Sequence, residues 1–362
     1  MRGELAQYGY GLATAFGETC GPAKFRERAA LLSKFLFISY GVAMALSEQD
    51  MLIRVPESEY EPLLNREKAV ADVKTHLHRW TDLVHDITSY GSNLIPRCFT
   101  SSERKLKDVI LIGVLLRQVV AMLDGIDILL SNGATYAAHL QMRALFEAAV
   151  YIDWILQGDS EKKIDYFYVH NLRRKRSWAA RTQPGLSVSE PFQRMMNEAG
   201  VPLTDAARKS SAELIEEIDR VLAQPRLAEI NQHFEQWRKK KGREVPWYLP
   251  LGPLSFAAVA RAVKREAYYT LFYAIASEVM HSSSYDRHIK LGTKLTIEPI
   301  RWMDQFQPIF HFGLSMAMFA FMAILKAYRP GDLSFHRKYV EKWKRDFLDF
   351  PKIVYKSEVT EI

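Results

Sequence analysis

The chain has 362 residues, 48% of them hydrophobic and 25% charged, with a formal charge of +7. Such a composition supplies a substantial core and excludes a disordered or low-complexity chain. The mild basic excess favours anionic partners, yet basic residues cluster only in two short runs, Arg173 to Arg176 and Arg238 to Arg243. That is unlike the concentrated patch of a dedicated nucleic-acid binder, and both runs are expected to be solvated helix ends.

Helical periodicity dominates, and no stretch alternates apolar and polar residues long enough to argue a strand. The fold expected is all-α, a bundle of long antiparallel helices. Ala29–Leu46 reads as the first helix, broken by the two prolines of RVPESEYEP. Leu63–Tyr90 then sets Val70, Val73, Leu77, Trp80, Leu83, Val84 and Ile87 on one face, with Gly91 ending it. Ser101, Ser102 and Glu103 signal the start of a long helix to Leu130, stopped by Asn132 and Gly133. Its middle, VILIGVLLRQVVAML, is apolar almost all round and belongs at the centre of the fold. Thr135–Leu156 follows a tight turn and should pack antiparallel to it as a helical hairpin.

Gly158 and Asp159 start another helix through Ala180. Pro184–Pro202 is the least regular stretch, and Asp205–Ala223 and Leu227–Lys240 read as two exposed amphipathic helices able to contact a protein partner. The hinge VPWYLPLGP, with three prolines, leads into the segment Trp247–Ser284, expected to be an aromatic turn and then one helix ending in Ser277, Glu278 and His281. Glu298–Tyr328 forms the last core helix, and Asp332 caps a charged helix to Leu348. This divides the chain into an N-terminal helical region (1–100), a core helical domain (101–330) with peripheral helices over about 184–245, and a charged C-terminal helix and tail (331–362).

The apolar runs Phe312–Leu325 and Phe35–Leu46 fall short of the ~20 residues of a spanning helix, so no membrane partner is expected. The two cysteines, Cys20 and Cys98, form no CxxC, and MRGELAQYGYG lacks the basic segment and apolar core of a signal peptide. A reduced, cytoplasmic setting follows as the expectation. The large apolar content makes a homodimer the expected assembly.

Two constellations carry chemistry. Arg143 and Glu147 lie four apart on one helical face, flanked by Ala144, Leu145, Phe146, Ala148, Ala149 and Val150, with Asp153 and His139 near that face. Either the pair belongs to a buried structural network or it belongs to a site. Glu278 and His281, three apart, suit a carboxylate orienting an imidazole or two ligands to a divalent metal, for which Glu147 and His170 would be the further ligands. His281, Glu278, Glu147 and Arg143 are the candidate catalytic residues. Tyr273, Ser277, His170 and Arg174 are the candidate substrate-binding ones. A Ser/His/Asp hydrolase is disfavoured because no Gly-x-Ser-x-Gly elbow exists, and neither a P-loop nor a dinucleotide fingerprint is present.

These residues resemble a bacterial family, domain of unknown function 5677. The similar pattern is an R-x-x-x-E helix, RALFEAAVYIDWIL, a Tyr-rich helix, DYFYVHNLRRKR, then W-Y, a Ser-led helix, a second Tyr-rich helix and S-E-x-x-H, here Trp247, Tyr248, Ser255, Tyr269, Tyr273, Ser277 and His281, over roughly Val109 to Ser284. The resemblance implies a helical fold and a polar cluster of Arg143, Glu147 and His281. A looser analogy is to helical HEPN ribonucleases, which carry Arg and His four to six residues apart on one helix. Arg79 to His85, Arg226 to His233 and Arg329 to His336 are the pairs to weigh, and only the first lies wholly inside an expected helix. It has Trp80 where a polar residue typically follows the arginine.

The first functional expectation is a helical effector acting on RNA or a nucleotide in bacterial stress or phage defence. In it His281 is general acid or base, Glu278 or Glu147 orients it, and Arg143 binds phosphate. The alternative is a non-enzymatic binding or assembly protein whose Arg/Glu/His cluster fixes helix packing.

Overall fold

In the computed structural model, residues 63–100, 106–282, 288–291, 295–301, 303, 305–350 and 360–361 are described. The helix expected over Ala29–Leu46, its proline-rich break and the capping serines 101–102 lie outside them. The chain divides into two compact units, Met1–Glu57 with Pro184–Ala207, and Ser58–Gln183 with Arg208–Ile362. The second holds residues on both sides of positions 100 and 331.

Within that larger unit the centre is the expected hairpin. Helix α3 (Leu106–Ser131) turns at Gly133, whose φ of +66° favours glycine, into α4 (Thr135–Ile155). Against them pack α2 (His78–Thr100), which continues α1 (Arg66–Asp72) through a π turn at Val73–Leu77, and the apolar α12 (Phe306–Tyr328). Leu116, Leu123, Phe146, Phe310, Phe312 and Phe321 are fully buried where these helices meet. The helices Asp108–Ser131 and Phe306–Tyr328 are long and apolar enough to cross a membrane by composition, but half or more of each is buried inside the fold.

Several boundaries differ from expectation, each for a local reason. Gly91 does not end its helix, which continues through Pro96 to Thr100. A Cβ at Gly91 would stand 2.3 Å from Phe321 Cζ, so the glycine serves the close approach of α12. The stretch expected to be irregular holds α6 (Ser189–Glu198), which belongs to the smaller unit. Helix α12 begins at Phe306 rather than Glu298, because the preceding residues form a short antiparallel ladder. There β1 (Ile289–Leu291) pairs with β2 (Leu295–Ile297), and β2 pairs in turn with β3 (Thr360–Glu361). Strands of two or three residues are too short to show a period of two, and the fold remains all-α in character. Asp332 precedes α13 (Leu333–Leu348) but caps nothing with its side chain, which is held by Arg329 at 2.8 Å.

Peripheral to the core, α5 (Ser160–Ala180) starts at Asp159, whose carboxylate accepts from the Lys162 amide at 3.1 Å. Helices α7 (Asp205–Leu222) and α8 (Pro225–Lys241) pack on it. The first basic run is not a solvated helix end. Arg173 is buried, donating to Asn231 at 2.6 Å, to Glu235 at 2.7 Å and to Glu244 at 2.5 Å, while Arg176 pairs with Asp219 at 2.5 Å. Its side chains clamp α7 and α8 to α5. The second run does sit in the last turn of α8, as expected.

Candidate functional site

The segment after the hinge is not one helix but a Ser-led helix and then a Tyr-rich one, the division that the resemblance implies. Trp247 is the buried wedge of the aromatic turn, with its ring centroid 5.2 Å from Tyr151, 5.0 Å from Trp154 and 5.2 Å from Phe167. Ser255 caps α9 (Phe256–Ala262) by accepting from the Ala258 amide at 3.2 Å. Lys264, at a φ of +61°, then breaks the chain direction. A single turn, α10 (Glu266–Tyr268), passes into a π-helical stretch at Tyr269–Tyr273 and then α11 (Ala274–Met280). Such π insertions concentrate at functional sites, because they re-aim side chains against the ordinary helical register. Here Tyr269 and Tyr273 stack with ring centroids 5.0 Å apart, and Tyr273 and Ser277 face α4.

The expected pair on α4 meets them. Tyr273 donates its phenolic proton to Glu147 Oε1 at 2.6 Å, a short bond of the charge-assisted kind. Arg143 donates from Nη1 to Ser277 Oγ at 2.9 Å, and more weakly from Nε to Glu147 Oε1 at 3.5 Å. Its guanidinium carbon lies 4.7 Å from the centroid of the Tyr273 ring, so cation and ring attract as well. The pair is not sealed in the core, as the flanking small residues suggested. The Arg143 side chain is 21% exposed and that of Glu147 36%, so the cluster is reached by solvent.

Electrostatics around Glu147 are distinctive. Burial, then the hydrogen bond to Glu147 and its negative charge, push the Tyr273 phenol above the usual tyrosine range. Burial and the same carboxylate push up Tyr151, one turn further along α4, and Tyr248 from the hinge. Three phenols therefore feel the charge of one carboxylate, and Tyr273 bonds it directly. Tyr248 entered the sequence reading only as part of the family pattern and Tyr151 not at all, although Tyr151 lies four residues after Glu147 and the i, i+4 rule that linked Arg143 to Glu147 would have found it.

Other candidates lie elsewhere. His281 follows the last residue of α11, its backbone amide bonding Ser277 O at 3.0 Å, and its side chain is exposed. Among the described residues no hydrogen bond from its ring joins it to Glu147, and Glu278 is likewise exposed. His170 turns to α8, its ring centroid 6.0 Å from Phe234. Burial and the charges of Arg174 and Arg173 lower its pKa to about 4, so it is neutral at pH 7. Arg174 is exposed. Asp153 pairs with Arg265 at 3.3 Å, and His139 is buried against the Tyr136 carbonyl at 3.2 Å. Among the described residues, no three His, Cys, Asp or Glu side chains gather as a metal would require, so the proposed set of Glu147, His170, Glu278 and His281 is not brought together.

The three Arg–His pairs lie in different surroundings. Arg79 bonds the Asp349 carbonyl at 3.2 Å while His85 meets Asp127 at 3.3 Å. Arg329 and His336 lie on opposite sides of a helix boundary. Arg226 and His233 share α8, which begins one residue earlier than Arg226.

No curated protein and no solved structure matches the chain. A family model, described as a family of unknown function, DUF5677, matches residues 108–294, just over half of the sequence and the stretch that holds every residue of the cluster, and the chain therefore belongs to that family.

Proposed function

We propose that this chain is a helical effector that acts on RNA or a nucleotide at the solvent-reached cluster of Arg143, Glu147, Tyr273 and Ser277, in the cytoplasm and as a homo-oligomer, in bacterial stress or phage defence. The observation that carries the reading is the half-exposed Glu147 carboxylate, held at 2.6 Å by a neutral phenol beside an arginine. A proton acceptor, a proton donor and a fixed positive charge within one cluster are what phosphoester cleavage requires. Glu147 takes the proton of the attacking hydroxyl or water as the new P–O bond forms. Arg143, positioned by Ser277, balances the charge developing on the phosphoryl oxygens. The leaving oxygen takes the Tyr273 proton as the old P–O bond breaks, and the proton on Glu147 returns across the short bond to Tyr273. Proton transfer is thereby assigned to Glu147 and Tyr273 rather than to His281.

The test is incubation of the purified protein with RNA and with nucleoside triphosphates, followed by product analysis. New products are expected, and their yield should fall about tenfold or more in Tyr273→Phe, in line with loss of one positioned proton donor. Substrates left intact would remove the proposal.

One observation favours a second, non-enzymatic reading, an assembly protein in which the cluster is structural: the same bonds tie α11 to α4. Under that reading Arg143→Ala lowers the melting temperature sharply and no substrate is consumed.

A further inference from the structure

On the side of the molecule formed by α5 and α8, a cavity of about 620 Å³ lies between the start of α5 and the first turns of α8. Tyr166 lines it and is only 6% exposed. The phenol oxygen stands 2.7 Å from His233 Nδ1, and His233 Nε2 lies 3.2 Å from the indole nitrogen of Trp237. An indole nitrogen only donates. His233 Nε2 must therefore be the acceptor, the ring is neutral with its proton on Nδ1, and Nδ1–H donates to the Tyr166 oxygen. The tyrosine's own proton is left over, and among the described residues it has no acceptor. With its oxygen engaged by His233, the hydroxyl keeps a proton that can be donated to a ligand in the cavity that Tyr166 lines.

The rest of the lining supplies the complement. Arg226 spends Nε on the buried Asp165 at 2.5 Å and Nη2 on Glu161 at 3.4 Å, and on this 49% exposed side chain Nη1 is a second donor open to a ligand. Glu229 is exposed on the facing turn and close enough for its charge to raise the Tyr166 pKa after burial. Of the charged groups around the cavity, Asp159, Glu161, Asp165 and Glu229 outnumber Lys162 and Arg226.

We infer that this cavity binds a basic amino acid. Its carboxylate accepts from Tyr166 and Arg226, its ammonium meets Glu229, and its net positive charge answers the acidic excess. A simple amine would leave the Tyr166 proton without an acceptor, and a simple acid would face uncompensated carboxylates. The site is separate from the Glu147 cluster and does not depend on the function proposed there.

Titration calorimetry of the full chain with L-lysine, and separately with cadaverine and with hexanoate as the amine and acid halves, tests this. Saturable binding of L-lysine is expected, with both halves at least about tenfold weaker, since each forgoes one charge-assisted contact. Glu229→Gln, at an exposed position that does not threaten folding, and Tyr166→Phe should each weaken L-lysine by a similar factor. Absence of L-lysine binding, equal binding of cadaverine, or unchanged affinity in both variants would overturn the inference.

Discussion

The geometry around Glu147 makes an unequal claim about its two partners that double-mutant cycles can read. Arg143 approaches it at 3.5 Å with side chains 21% and 36% exposed, the regime of i, i+4 surface pairs, and their coupling should be about 0.5 kcal/mol. Tyr273 donates at 2.6 Å. A hydrogen bond to a charged group contributes about 1.5–3 kcal/mol when buried, and partial exposure of the carboxylate reduces this to about 1–1.5 kcal/mol. Arg143→Ala, Tyr273→Phe, Glu147→Ala and the two doubles that include Glu147 would be unfolded in urea at pH 7. Loss of the Ser277 bond appears in both arms of the arginine cycle and cancels. A coupling for Arg143 equal to or larger than that for Tyr273 would refute the assignment of Tyr273 as the group that holds Glu147.

Three further outcomes follow from packing and charge. Gly91→Ala should destabilise by about 1–3 kcal/mol in calorimetric melts, because the added carbon would meet the fully buried Phe321 ring. His170 has a folded pKa near 4 against an ordinary 6.5, so the unfolded chain binds more protons between those values and stability falls as pH drops through that window. The loss is on the order of 3 kcal/mol, and His170→Gln should flatten the urea midpoint between pH 6.5 and 4. His281→Ala, at an exposed position, should change stability by less than about 0.5 kcal/mol and leave product yield near that of the unaltered chain.

Much of this architecture is legible in the sequence, where local chemistry and tertiary context agree. The hairpin of α3 and α4 follows from an all-round apolar helix, a glycine stop and short turn, and Asp159 marks α5 because a carboxylate there satisfies an otherwise orphan amide. Arg143 and Glu147 share a face by spacing alone. What sequence cannot carry is long-range: Gly91 reads as a stop until Phe321 is seen against it, and Arg173 reads as solvated until Glu235 and Glu244 close over it. Register explains why His281 is not joined to Glu147. Four residues after Ser277 an unbroken helix would return it to the Glu147 face, but α11 ends at Met280 and the chain turns away, with Ser282 at a φ of +54°.

The central claim is that Glu147 is chemically active rather than a packing residue, and Glu147→Gln tests it most directly because it keeps the shape and removes the charge. With melting temperatures matched to within about 3 °C, the shift expected for roughly 1 kcal/mol, turnover of RNA or nucleotide should fall by about a hundredfold or more. Undiminished turnover in that variant would contradict the account.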